Sequence, residues 1–172
     1  MELVIKTVTV HELEQLREVS IATFKETFAD QNTPSDMELY LEQRMNVDQI
    51  KKELLNPNCA FYFAYNQKHL IGYLKLNFNT AQSEDVLEGK AFEIERIYLL
   101  KAHQRKGFGK ELFQLAVRLG KEKNYTKLWL GVWEHNLPAR LFYKKLGLVP
   151  FTQHTFLLGK DKQTDLLLQL KI

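Results

Sequence analysis

The stretch Ile97-Tyr98-Leu99-Leu100-Lys101-Ala102-His103-Gln104-Arg105-Lys106-Gly107-Phe108-Gly109-Lys110 runs from an apolar strand end, through a basic loop, to a pair of glycines. Beyond it, Leu112, Leu115, Ala116 and Leu119 recur at i, i+3, i+4 and i+7, so the spacing predicts a helix from about Gly107 to Lys123. The first turn of a helix leaves backbone N–H groups unpaired and concentrates about half a positive charge. Glycine lets that backbone come close to an anion. Lys101, Arg105, Lys106 and Lys110 add charge of the same sign, and no acid interrupts them. A strand, loop and helix of this kind form an anion cradle suited to a pyrophosphate. The segment lacks the Gly-Lys-Ser/Thr of a P-loop, and it has only two of the three glycines of a dinucleotide fingerprint.

Upstream, Leu3 to Val10 is short and β-branched and reads as a first strand. Leu13, Leu16, Ser20, Phe24 and Phe28 then follow helical spacing until Asp30-Gln31-Asn32. Thr33-Pro34-Ser35-Asp36 opens a helix, with a capping hydroxyl, proline in the first turn and an acid at the positive end. Asn46 caps a further short helix that carries Val47, Ile50 and Leu54. Ala60 to Tyr65 and Leu70 to Phe78 are strands joined as a hairpin at Asn66-Gln67-Lys68. Asn79 to Lys90 is polar and reads as a loop, and Ala91 to Leu100 as a strand. Downstream, Thr126 to Val132 is a strand, Asn136 and Pro138 start a helix that Gly147 ends, and Pro150 to Leu157 and Thr164 to Lys171 close the chain. The predicted order is β, α, α, β, β, β, α, β, α, β, β. Helices lie among both hairpins and crossovers, which predicts an α/β, or α+β layered, sheet of mixed strand direction.

A chain of 172 residues fits a single domain spanning residues 1–172. Such a chain buries roughly 70% of its unfolded surface and needs no disulfide or metal to fold. Cys59 is the only cysteine, which excludes an internal disulfide and any multi-cysteine metal site, and His103, His135 and His154 lack metal-ligand spacing. A reducing cytoplasm is the expected compartment. No apolar run approaches the roughly 20 residues that cross a bilayer, so no membrane partner is expected. A net charge of +3 and the absence of a helix-turn-helix give no reason to expect direct nucleic-acid binding.

Gln104-x-x-Gly107-x-Gly109 resembles the acyl-CoA pyrophosphate loop of the GCN5-related N-acetyltransferases (GNAT). Trp129 to Trp133, Asn136 and then Phe142-Tyr143-Lys144-Lys145-Leu146-Gly147-Leu148 resemble that family's second signature. Thr27 to Met37, Glu93 to Tyr98, Leu130 to Glu134 and Lys162-Gln163-Thr164-Asp165 are similar to its PaiA-type group. The resemblance implies a mostly antiparallel seven-stranded sheet with about four helices and with strands four and five splayed apart. It implies acetyl-CoA as cosubstrate, no metal, and transfer of acetyl to a primary amine, chiefly a polyamine such as spermidine or spermine. A homodimer is compatible with the family. Ile97, Tyr98 and Leu99 would then offer backbone groups to the pantetheine arm, with the Leu99 amide polarising the thioester carbonyl. Gln104, Arg105, Lys106, Gly107, Phe108, Gly109 and Lys110 would hold the pyrophosphate. Asn136 would bond the pantetheine, and Lys145 would reach a phosphate.

The implied reaction is direct attack without an acyl-enzyme. An ammonium with a pKa of about 10.4 must lose a proton before its nitrogen attacks. Glu93 and Glu95 share parity on one strand and face one side, so either is a candidate base. Tyr143 would protonate the departing thiolate. Alternating glutamates also suit a solvated face, and Asn136 also suits a helix cap. Trp129 and Trp133 read as packing residues, and Cys59 as a small core residue. Glu26, Asp30, Asp36, Glu38 and Glu134 are candidate carboxylates for a cationic acceptor. A peptide or protein amine acetyltransferase, and a regulatory acyl-CoA-binding protein, are the competing readings.

Overall fold

The computed structural model describes residues 2–172. Seven strands, β1 (Leu3–Thr7), β2 (Cys59–Asn66), β3 (His69–Asn77), β4 (Ala91–Leu99), β5 (Lys127–Trp133), β6 (Val149–Leu158) and β7 (Asp161–Lys171), form one sheet in the order β1-β2-β3-β4-β5-β7-β6. Five α-helices accompany them: α1 (Leu13–Phe28), α2 (Pro34–Arg44), α3 (Val47–Leu55), α4 (Phe108–Glu122) and α5 (Leu137–Lys145).

The helices expected at Thr33 and Asn46 form separately as α2 and α3, so three helices precede the first hairpin where the predicted order counts two, and the total is five rather than about four. One side chain makes the division. Asn46 Nδ2 donates to Glu42 O at 2.7 Å at the end of α2, while its Oδ1 accepts from Gln49 N at 2.8 Å at the start of α3. Asn46→Ala loses both ends of this arrangement and is expected to lower stability by about 1 kcal/mol in urea denaturation. The other predicted caps also form. Thr33 Oγ1 accepts from Asp36 N at 3.2 Å, and Asn136 Oδ1 accepts from Ala139 N at 3.2 Å.

Two cores flank the sheet. Phe108, Leu112, Leu115 and Ala116 of α4 pack on Leu128 and Leu130 of β5, with Tyr143 and Leu148 beside them. On the opposite face Leu16, Phe24 and Phe28 of α1 join Ile50, Phe61, Phe63 and Tyr73. Every neighbouring pair of strands is antiparallel except β4 and β5, which run parallel because α4 carries the chain back across the sheet. Their pairing covers only Ala91–Glu93 against Lys127–Trp129. Beyond Glu93 and Trp129 the strands part, and the edge of β4 facing β5 has no strand partner among the described residues.

A bulge shapes the same strand. Leu76 faces Ile94 and Lys75 faces Arg96, so Glu95 is the extra residue on β4. Ile94 and Ile97 therefore both enter the α4 core, while Glu95 and Arg96, adjacent in sequence, pair with each other and join one ionic network with Lys75 and Glu53.

Candidate active site

The predicted anion cradle opens at the C-terminal end of β4. Gln104 Nε2 donates to Leu99 O at 2.9 Å, which ties the loop to the strand it leaves. Arg105 then takes φ 60° and Gly107 takes φ 91°, so the chain turns sharply through the left-handed region before α4. At Gly107 that conformation costs little only because there is no Cβ. No side chain caps α4, and among the described residues no acceptor pairs the amides of Arg105, Lys106, Gly107, Phe108 and Gly109. Five successive unpaired N–H groups at a helix N-terminus are a nest for anionic oxygens.

The side chains around the nest divide their roles. Phe108 is buried in the α4 core, leaving its amide to the loop. Gly109 lies against α5, where a Cβ would come 3.4 Å from the Phe142 ring. Arg105 and Lys110 are exposed, and Lys106 Nζ donates to Ala102 O at 2.8 Å. Lys145 is exposed at the end of α5 and has no ion-pair partner among the described residues.

Ile97, Tyr98 and Leu99 line the opening between β4 and β5. They pair with Leu74, Tyr73 and Gly72 of β3 on one side only. Ile97 and Leu99 pack into the α4 core, while Tyr98 turns to the other face beside Phe28 and Tyr73. Asn136 is half-buried at the start of α5. Tyr143, on the same helix, is buried, and loss of hydration raises its hydroxyl well above the ordinary tyrosine value. Tyr98 is likewise raised by burial and by neighbouring tyrosines that include Tyr143.

The two glutamates share a face, and Asn77 Nδ2 donates to both. Their surroundings differ. Glu93 is buried, accepts from Ser83 N at 2.7 Å and Ser83 Oγ at 2.6 Å, and is raised above 4.5 by burial and by the neighbouring charge of Glu95. Burial acts on Glu95 in the same direction, but Arg96 and Lys75 outweigh it and hold its carboxyl at about 2. Lys75 also meets Glu53 at 2.9 Å, and Arg96 meets Glu53 at 3.2 Å and Glu95 at 3.1 Å.

Several partners here escaped the sequence reading. Asn77 sits in an apolar strand, and Ser83 belongs to the stretch read only as a polar loop. That loop lies against the sheet: Trp129 Nε1 donates to Gln82 Oε1 at 2.8 Å, and Val86 and Leu87 pack on Trp129 and Leu167. His154 of β6 lies between Glu84 of the loop, which meets its Nδ1, and Asp165 of β7, 3.6 Å from its Nε2. Cys59 lies closer to the carboxylates than its place in sequence implies, with Sγ 3.5 Å from Asn77 Oδ1. Burial raises its thiol, which keeps it protonated and a weak nucleophile.

The candidate acceptor carboxylates scatter. Asp36 is engaged by Lys160 N at 2.7 Å, and Glu26 by Lys101 N at 2.7 Å. Asp30 makes an exposed pair with Lys101 at 3.5 Å. Glu38 is exposed, and Glu134 lies 3.7 Å from its neighbour His135.

Residues 14–148 match the Acetyltransferase (GNAT) family. An uncharacterised N-acetyltransferase of Lactobacillus delbrueckii subsp. lactis is 46% identical over 151 residues, covering 88% of this chain and 87% of the relative. The spermidine N(1)-acetyltransferase of Thermoplasma acidophilum is 26% identical over 151 residues, covering 86% and 88%. Among solved structures, the PaiA N-acetyltransferase of Thermoplasma acidophilum in complex with coenzyme A superposes with a TM-score of 0.81 at 23% identity, covering 100% of both chains.

Proposed function

The chain belongs to the GNAT acetyltransferase family, an N-acetyltransferase fold that works with CoA, and from that premise we propose that it transfers acetyl from acetyl-CoA to a small cationic amine of the polyamine class. The observation that carries the reading is the unpaired edge of β4 leading directly into the unpaired amides of Arg105 to Gly109. An elongated ligand with a hydrogen-bonding arm and an anionic head matches both. Ile97, Tyr98 and Leu99 would take the arm, and the nest with Arg105, Lys106 and Lys110 would take the pyrophosphate. Asn136 and Lys145 would contact the ligand from α5.

Catalysis then needs a base for the ammonium and an acid for the leaving sulfur. Glu93 suits the first role better than Glu95. A base works best when its pKa approaches the working pH, and Glu93 is raised whereas Glu95 is held at about 2. Ser83, exposed and donating to Glu93, links the buried carboxylate to the surface and gives the proton an exit. The neutral nitrogen attacks the thioester carbon, the C–S bond breaks, Tyr143, kept protonated by its buried position, returns a proton to the sulfur, and the extra proton on the acylated nitrogen leaves as the amide forms and restores the tyrosine through solvent. The spermidine-acetylating relative supports the acceptor class.

Calorimetry with acetyl-CoA, followed by thiol release with spermidine, spermine and simple amines, tests the proposal. Gly107→Ala forces a side chain into a φ of 91° and is expected to weaken acetyl-CoA binding about tenfold. Unchanged affinity in that variant would count against the nest. Acetyl-CoA binding without turnover of any amine would count against acetyl transfer to an amine.

A further inference from the structure

A central strand of a layered sheet is normally covered on both faces, yet Gly131 in the middle of β5 is exposed. Leu128, Leu130 and Val132 enter the α4 core, so Trp129, Gly131 and Trp133 point to the opposite face. Trp129 is covered by the Gln82 loop, and Trp133 packs beside Phe28 with ring centres 6.2 Å apart. Between them the floor is bare backbone. Asp165 lines this opening: a Cβ on Gly131 would sit 3.4 Å from Asp165 Oδ2. Trp133 is directly opposite Asp165 in the ladder, so both side chains rise from the same face.

Gln163 is on that face too, one alternation further along β7, and is buried at 7% exposure. Its Nε2 donates to Asn32 Oδ1 at 2.6 Å and reaches back along the strand to Asp161 Oδ2 at 2.9 Å. The oxygen of the same carboxamide is buried and finds no donor among the described residues. A buried acceptor without a donor is costly and implies a missing partner. His154 between Asp165 and Glu84 does not cancel the local charge, since two carboxylates face one imidazole. A carboxylate, an unpaired amide oxygen and an indole face suit an alkylammonium, which has three donors and no acceptor.

We propose that the opening over Gly131 is a second ammonium site, in which Asp165 and Gln163 hold the distal charged nitrogen of the acceptor while its other nitrogen reacts beside Glu93. This deepens the proposed function and rests on it. It defines the substrate class by chemistry: an amine with a second positive charge at a fixed reach from the first. Burial raises the Asp165 carboxyl, with His154 opposing.

The test compares kcat/KM for a series of α,ω-diaminoalkanes with that for n-alkylamines of matching length, using the full chain and saturating acetyl-CoA. The wild-type protein is expected to prefer one diamine length over its monoamine by about tenfold or more. Asp165→Asn, which keeps shape and removes charge, is expected to erase most of that ratio. Gly131→Leu, which fills the opening beside Asp165 but leaves its carboxylate in place, is expected to do the same, and acetyl-CoA affinity by calorimetry reports whether each variant is folded. A wild-type ratio near one, or a ratio that survives in both folded variants, overturns the second site while leaving amine acetylation standing. Failure of every amine to react with acetyl-CoA bound overturns the acetyl-transfer reading, and the second site with it.

Discussion

Replacing Glu93 by glutamine is expected to lower kcat with a diamine acceptor about 10²–10⁴-fold, with acetyl-CoA affinity little changed. The glutamine keeps the shape that Ser83 and Asn77 surround but has no carboxylate to take the proton from the ammonium. Glu95 does not replace it, because Lys75 and Arg96 hold its charge too firmly for it to act as a base. The pH profile gives a second readout. The active form of Glu93 is deprotonated, so activity falls as pH drops through its pKa, and burial places that acid limb above the 4.5 of an ordinary glutamate. Steady-state kinetics across pH, with calorimetry for the cosubstrate, checks both statements. A variant retaining wild-type kcat would remove Glu93 from the chemistry.

Glu53→Ala is expected to cost about 3–5 kcal/mol of folding stability, the largest loss among these variants. Glu53 on α3 is nearly buried and meets both Lys75 and Arg96, themselves almost fully buried in the sheet. Without it, two buried cations share Glu95 alone. Equilibrium denaturation in urea measures the loss directly. The same network fixes a response to acid. Glu95 has a folded-state pKa of about 2 against 4.5 for the free group, so the unfolded chain binds more protons between those values. Its contribution is fully present above pH 4.5 and fades as pH falls toward 2.

The anion cradle was legible because everything that makes it lies within one short run of sequence. Gly107 sets the turn, the absence of a capping side chain leaves the amides open, and the apolar spacing from Leu112 fixes the helix. Thr33, Asn46 and Asn136 were legible as caps for the same local reason. The bulge at Glu95 was not, because it is set by how Lys75 and Leu76 pair across the sheet, and strict alternation would have sent Arg96 to the opposite face. The partners of Glu93 were hidden by distance along the chain. Ser83 comes from a loop whose polarity resembles that of any connector, and Asn77 looks like an interruption in an apolar strand. Asp165 entered the sequence reading only within a family-like string. What marks it structurally is Gly131, and a glycine inside a strand has many explanations until its neighbours are in place.

The two halves of the sheet are stitched together along only three residue pairs, Ala91 to Glu93 on one side and Lys127 to Trp129 on the other. The molecule is thus a book with a short spine, and the pages stand open where a cosubstrate would lie. Backbone groups that a longer ladder would have turned to self-adhesion are left free along β4. Under the proposed function, cohesion of the sheet and a hold on acetyl-CoA would draw on the same edge of β4, so lengthening the spine to toughen the fold would close the door to the cosubstrate.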